Sequence, residues 1–334
     1  MVIDNQKLLT RSLTLWSLSL VIAQSALGQA SPRTPQSVLT RILGRYSQKA
    51  YSSVRTTVST DSPGGSMVLK FEGATDGSIK YTVLQPLSSQ GIIMIDDGSR
   101  VTHYYPDQKL MVSKPSPRIG LLDVRTRVNL AASNYALTLV KGPTVANRKT
   151  IQLEAKPKRS SLPTRKYVVD ASELVLLRSD IVDPDGTTAI VLDTQTINFF
   201  PDRDEPLTAD RSTAGWRKVT EQAPPSLVSV ADAGRRSSID FEVPEPLPYG
   251  MDIQGLHLKQ DSTGKAVLMR LTDGLASVSV YIAHASEDEE EPKLPRNSAG
   301  ATTRGISFVV VSDFGKKVNS AILRSFLEAN RRPK

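Results

Sequence analysis

Apolar and polar residues alternate over most of this chain, and the spacing switches to a helical period in only a few places. From Tyr167 to Phe199 (YVVDASELVLLRSDIVDPDGTTAIVLDTQTINF) the pattern reads as three consecutive antiparallel strands with both turns written into the sequence. The first strand runs from Arg165 to Val169, and Asp170-Ala171-Ser172-Glu173 supplies polar residues that let the chain reverse. The second runs from Leu174 to Val182. Asp183-Pro184-Asp185-Gly186 then sets a proline that fixes φ beside a glycine that accepts positive φ, and Thr187 to Phe199 returns as the third. Along the second strand Val175, Leu177 and Ile181 share one face while Leu174, Leu176 and Val182 share the other. Both faces of this meander are therefore expected to be covered, since a strand wet on one side alternates cleanly.

Upstream, Thr34 and Pro35 make a helix start, a side-chain oxygen at the cap and a proline where its missing N–H costs nothing. Leu39, Ile42, Leu43, Tyr46 and Ala50 follow at helical spacing and predict one apolar face packed on the sheet. The period then becomes two. Met67 to Glu72, Ser78 to Val83, Gly91 to Ile95, Arg100 to Tyr105 and Lys109 to Ser113 read as short strands, punctuated by the hairpin dipeptides Asp76-Gly77 and Asp97-Gly98. Leu121, Val124, Val128 and Ala131 mark a second helix, Asn134 begins the strand YALTLV, and Ile151, Leu153 and Ala155 alternate with polar neighbours. Residues 31–200 thus read as one domain, a large antiparallel sheet with two covering helices. A sheet of about eight or more strands curls as its twist accumulates and acquires a concave side. Tyr81, Ile93, Leu137, Leu153 and Leu177 are the candidates for its apolar side. A groove for an acyl chain or peptide and a fully packed core both fit this pattern.

From residue 201 to 248 the composition shifts to proline, charge and small residues, which reads as a linker. Residues 249–334 form a smaller α+β unit. Met251 to Lys259, Ala266 to Leu271, the run after Asp273-Gly274 and Ile306 to Val311 are strands, and Val318, Ile322 and Phe326 set the apolar face of a closing helix. The acidic run Glu287 to Glu291 reads as a solvated loop.

Composition narrows the function. Residues 1–30 have the form of a secretory leader: Lys7 and Arg11, an apolar run from Leu13 to Ala23, then Gly28-Gln29-Ala30 with small residues where a signal peptidase cuts. The alternative, a transmembrane anchor, needs about 20 apolar residues, and Ser17 and Ser19 break this run. The chain has no cysteine, so disulfides, thiolate nucleophiles and lipoprotein acylation are excluded together. Its net charge of +8 suits a protein that meets anionic membrane surfaces or acidic partners. The basic residues are scattered without a nucleic-acid motif, so no nucleic-acid partner is expected. His103, His257 and His284 stand apart in strand-like contexts, and Asp183-Pro184-Asp185-Gly186 lacks the later ligands of a calcium loop. No catalytic residue, metal or cofactor is assigned, and no nucleophile elbow is present.

The stretches IDDGSRVTHYYPDQKLMV, NYALTLVKGPTVANRKTIQLEAKP and KYVVDASELVLLRSDIVDPDGTTA, in that order, resemble the N-terminal domain of the RseB/MucB family, periplasmic regulators of an envelope-stress sigma factor. DGLASVSVYI resembles a strand of that family's C-terminal domain, although FVVVSDFG stands where the family has a Gly-Glu-x-Pro turn. The resemblance implies a half-open sheet similar to the carriers LolA and LolB. It implies as partners the periplasmic segment of an anti-sigma factor and a lipid, acyl chain or lipoprotein signal. By the same similarity Leu275, Ser277, Ser279 and Tyr281 are candidates for the partner-binding surface. The alternative is a periplasmic carrier of lipid or lipoprotein.

Overall fold

The computed structural model describes residues 33–45, 49–58, 65–116, 122–159, 161–200, 206–209, 211–222, 227–261, 264–285 and 298–331. The leader, its cleavage site and the acidic run Glu287 to Glu291 lie outside them.

In chain order the elements begin with α1 (Pro35–Gly44) and six strands, β1 (Ala50–Val58), β2 (Ser66–Gly73), β3 (Ile79–Gln85), β4 (Ile93–Asp96), β5 (Arg100–Tyr105) and β6 (Leu110–Pro115). After α2 (Val124–Asn134) come β7 (Tyr135–Lys141), β8 (Thr150–Pro157), β9 (Thr164–Asp170), β10 (Leu176–Val182), β11 (Thr188–Phe200) and β12 (Arg217–Thr220). These twelve strands form one open sheet in the order β12-β6-β5-β4-β3-β2-β1-β11-β10-β9-β8-β7. Every pairing in it is antiparallel except β12 on β6. The meander expected from Tyr167 to Phe199 is present as β9, β10 and β11, with the Asp183–Gly186 turn closed by the Gly186 N–H on the Asp183 carbonyl at 2.9 Å.

The first helix is shorter than its spacing implied. It stops at Gly44, and Arg45 takes a left-handed φ of 54°, so Ala50 begins a strand instead of a fourth turn. That strand, β1, lies mid-sheet between β2 and β11 and has no counterpart in the sequence reading. Its inward residues Tyr51, Ser53, Arg55 and Thr57 are mostly polar, so alternation of hydrophobicity cannot reveal it. Helix α2 is capped by Asp123, whose carboxylate accepts the Thr126 N–H at 2.9 Å.

The tract expected as a linker carries two elements. One is β12; the other is α3 (Val230–Ser237), capped by Ser229 accepting the Asp232 N–H at 3.1 Å. The second sheet holds β13 (Asp252–Asp261), β14 (Gly264–Thr272), β15 (Ser277–His284), β16 (Ser298–Thr303) and β17 (Ile306–Ser312), in the order β13-β14-β15-β17-β16. Helix α3 packs on β13 and β14, and α4 (Lys316–Ala329) on β16 and β17. Strand β16 was also missed, since Ser298-Ala299-Gly300 reads as loop by composition. The fold is α+β, a large open sheet with covering helices followed by a small α+β unit.

One hydrophobic core serves both sheets. It takes Val38 and Leu39 from α1, Val128 and Ala131 from α2, Leu153, Ala155, Tyr167 and Val169 from the first sheet, and the inward faces of β14, β15, β17 and α4. Fully buried Phe308, Phe314, Ile322 and Phe326 anchor it, each burial stabilising the fold by about 2 kcal/mol. Asn330 ties the preceding tract to the end of α4, donating to the Glu242 carbonyl at 2.9 Å and accepting the Glu242 N–H at 2.8 Å.

Candidate functional site

Two places combine uncommon chemistry with a position between elements. The first is a cavity of about 230 Å³ on the inner side of the large sheet. Its floor is aromatic: Tyr51 stacks on Phe71 at 5.6 Å between ring centroids, and Tyr81 meets Phe71 edge-on at 4.9 Å. Gly73 makes room for this floor, because a Cβ there would lie 2.5 Å from the Tyr51 ring. Arg41 and Ile42 of helix α1 and Arg45 just after it roof the cavity, and the Leu174–Leu176 segment closes one side. Arg55, from mid-sheet, is 5% exposed and sits with its guanidinium 4.0 Å from the Phe71 ring centre, its Nε donating to Ser53 Oγ at 2.8 Å. Burial pushes the Tyr81 hydroxyl above its ordinary value against the pull of Arg45 and Arg55, so Tyr81 stays a neutral donor.

The second place is the joint between the two sheets. The Asp273 carboxylate, fully buried, accepts the Tyr135 hydroxyl at 2.5 Å and the N–H groups of Leu275 and Ala276 at 2.9 and 2.8 Å. Asn134 at the end of α2 donates to the carbonyls of Gly250 and Asp273 at 2.9 and 3.1 Å. Gly274, at φ +100°, allows the turn to press on α2, since a Cβ there would lie 2.4 Å from the Ala131 nitrogen. Burial, then the Asp273 charge, drives the Tyr135 phenol far above its ordinary value, which keeps the proton on the oxygen. The Arg165 guanidinium lies 5.7 Å from the Phe314 ring centre beside this knot.

Among the five residues expected on the apolar side, only Tyr81 lines the cavity. Leu137 and Leu153 share a face beneath α1 and belong to the common core, Leu153 fully buried. Ile93 is buried but pairs with Thr82, which puts it on the face opposite Tyr81. Leu177 packs with Val145 and Val168 in a separate cluster, away from Leu153. The register between β10 and β9 slips between Leu176 and Arg178, and that bulge turns Leu177 to the far side.

Of the partner-surface candidates, Leu275 is 9% exposed and belongs to the joint's core. Ser277, Ser279 and Tyr281 face outward. Tyr281, 40% exposed, pairs with Leu268 on one side and Val309 on the other, making a half-exposed apolar row across the second sheet. Sequence reading missed Arg41, Arg45, Tyr51, Arg55 and Phe71 at the cavity. The only signal for the strand residues is β-branched Val54, Thr56, Thr57 and Val58 around them.

Burial, above all, lowers His103 and His257, leaving both neutral near pH 7. Among the described residues no group of three or more His, Cys, Asp or Glu is placed to hold a metal, and no helix is long and apolar enough to cross a membrane.

An open twelve-stranded sheet with an inner cavity, sharing one core with a smaller five-stranded sheet, defines a two-part α+β protein. Residues 34–198 match the family model described as MucB/RseB N-terminal domain, so the chain carries a domain of the MucB/RseB family. The structure is similar to that of a Pseudomonas aeruginosa MucA/MucB complex, with a TM-score of 0.61 at 16% identity over 86% of this chain and 96% of that one. It is also similar to MucB in complex with MucA(peri), with a TM-score of 0.59 at 17% identity over 86% of this chain and 97% of that one. No curated protein sequence matches the chain.

Proposed function

We propose that this protein is a non-enzymatic, exported regulator of the RseB type. The periplasmic segment of an anti-sigma factor binds at the second sheet and the joint, and an amphiphile bound in the first sheet changes that affinity. The reading is carried by the match of residues 34–198 to the MucB/RseB domain, in a chain whose second sheet shares one core with it. The similar MucB structures, which are complexes with MucA, suggest the class of partner. The cavity also favours a sensor over a carrier, because about 230 Å³ is too little for the several acyl chains of a lipoprotein.

Binding of an anti-sigma periplasmic segment to the whole mature chain, beginning at Ser31 by N-terminal sequencing of exported protein, tests this. A saturating amphiphile should weaken that binding by roughly 5- to 150-fold, the range of a typical coupling, and Tyr281→Ala should weaken it without an amphiphile. Absence of binding to any such segment, together with transfer of lipid between vesicles, would instead establish the carrier.

A further inference from the structure

The cavity lining carries an excess of positive charge. Three arginines, Arg41, Arg45 and Arg55, line it, and among the described residues no acidic side chain does. Arg45 has an outside partner, Asp96 at 3.9 Å. Arg55 is different: it is 5% exposed, and its Nη2 is buried without a hydrogen-bond partner among the described residues. A buried guanidinium nitrogen left unsatisfied is costly, and stacking on Phe71 offsets only part of that cost. An oxyanion in the cavity would supply the missing acceptor and neutralise the charge.

We propose that this cavity binds a single-chain amphiphile with a carboxylate head, the carboxylate on Arg55 and the chain against Leu69, Phe71, Leu176 and Leu192. Size sets the chain length. A cavity of about 150 Å³ holds benzene, so about 230 Å³ suits roughly ten heavy atoms, the size of octanoate. Larger lipids with several chains do not fit. The neutral Tyr81 hydroxyl lines the same space and is available as a second donor. This deepens the sensing reading and rests on it for its biological meaning, but the chemistry of the cavity is testable alone.

Calorimetric titration of the full mature chain with octanoate, octanol and octyltrimethylammonium decides it. Octanoate should bind at least tenfold more tightly than octanol, and the cation should not compete with it. Arg55→Met should lower octanoate affinity at least tenfold and leave octanol within twofold, the retained octanol binding showing that the cavity still folds. Arg55→Lys should recover part of the octanoate affinity. Equal binding of octanoate and octanol by the unaltered chain would overturn the proposal without any variant, as would an octanoate preference that survives Arg55→Met. Either failure leaves the anti-sigma reading standing, because segment binding without a ligand is measured separately.

Discussion

Asp273 shows how much a single residue does in this chain. Its carboxylate organises the turn that starts the second sheet through two backbone N–H groups, and it holds the first sheet through the Tyr135 hydroxyl. Residues 134–135 and 273–274 lie in two stretches that carried the family resemblance, and in the fold they meet. Their spacing in sequence says nothing of that contact. Removing the hydroxyl with Tyr135→Phe keeps the ring in the core but deletes one hydrogen bond to a buried charge, worth about 1.5–3 kcal/mol. Urea unfolding should show a loss of that size as a lower midpoint with the slope unchanged. A loss under 0.5 kcal/mol would mean that the two N–H donors alone satisfy the carboxylate.

Elements that follow a hydrophobic period were legible in the sequence, and those built on polar inward residues were not. The meander, the hairpins around Asp76-Gly77 and Asp97-Gly98 and the closing helix all follow their period. Strand β1 does not, because its inward side chains form the polar part of the cavity. Arg55 was therefore invisible for the same reason that it is of interest. Bulges were equally hidden: the slip beside Leu177 depends on how two strands pair, and alternation counted along one strand cannot detect it. The turn after β9 gives an element-scale prediction. Asp170, buried to 1% side-chain exposure, accepts the N–H groups of Ser172 and Glu173 and the Arg148 Nε. Burial alone would raise its carboxyl, but Arg148 and the two N–H groups prevail and hold it below its ordinary 3.8. A depressed folded value means that the carboxylate contributes stability above pH 3.8, which is lost as the pH falls through the folded value. Asp170→Asn should therefore cost about 1.5–3 kcal/mol at pH 7, and less with each step in pH below 3.8. Denaturant titrations across that range check it, and a cost independent of pH would show that the bonds owe nothing to the charge.

At the scale of the molecule the cavity and the second sheet are linked through α1 and α2. Helix α1 offers Arg41 and Ile42 to the cavity, with Arg45 just past its end, and buries Val38 and Leu39 in the shared core, where it packs on α2. The last residue of α2, Asn134, holds the carbonyls of Gly250 and Asp273. A ligand that shifts α1 thus acts on the joint through packed side chains, and coupling follows only if the partner distinguishes the two positions. Such coupling requires that the two sheets not unfold independently. Proteins of two domains commonly unfold in separate steps, whereas here the main core runs from Val38 to Phe326 and takes buried residues from both sheets. Calorimetry of the mature chain should accordingly show one transition with equal calorimetric and van't Hoff enthalpies, moving upward as a whole when the cavity ligand is added at many times its Kd. Two resolved transitions, with only one moving on ligand addition, would place the cavity outside the cooperative unit and remove the physical basis for signalling from one sheet to the other.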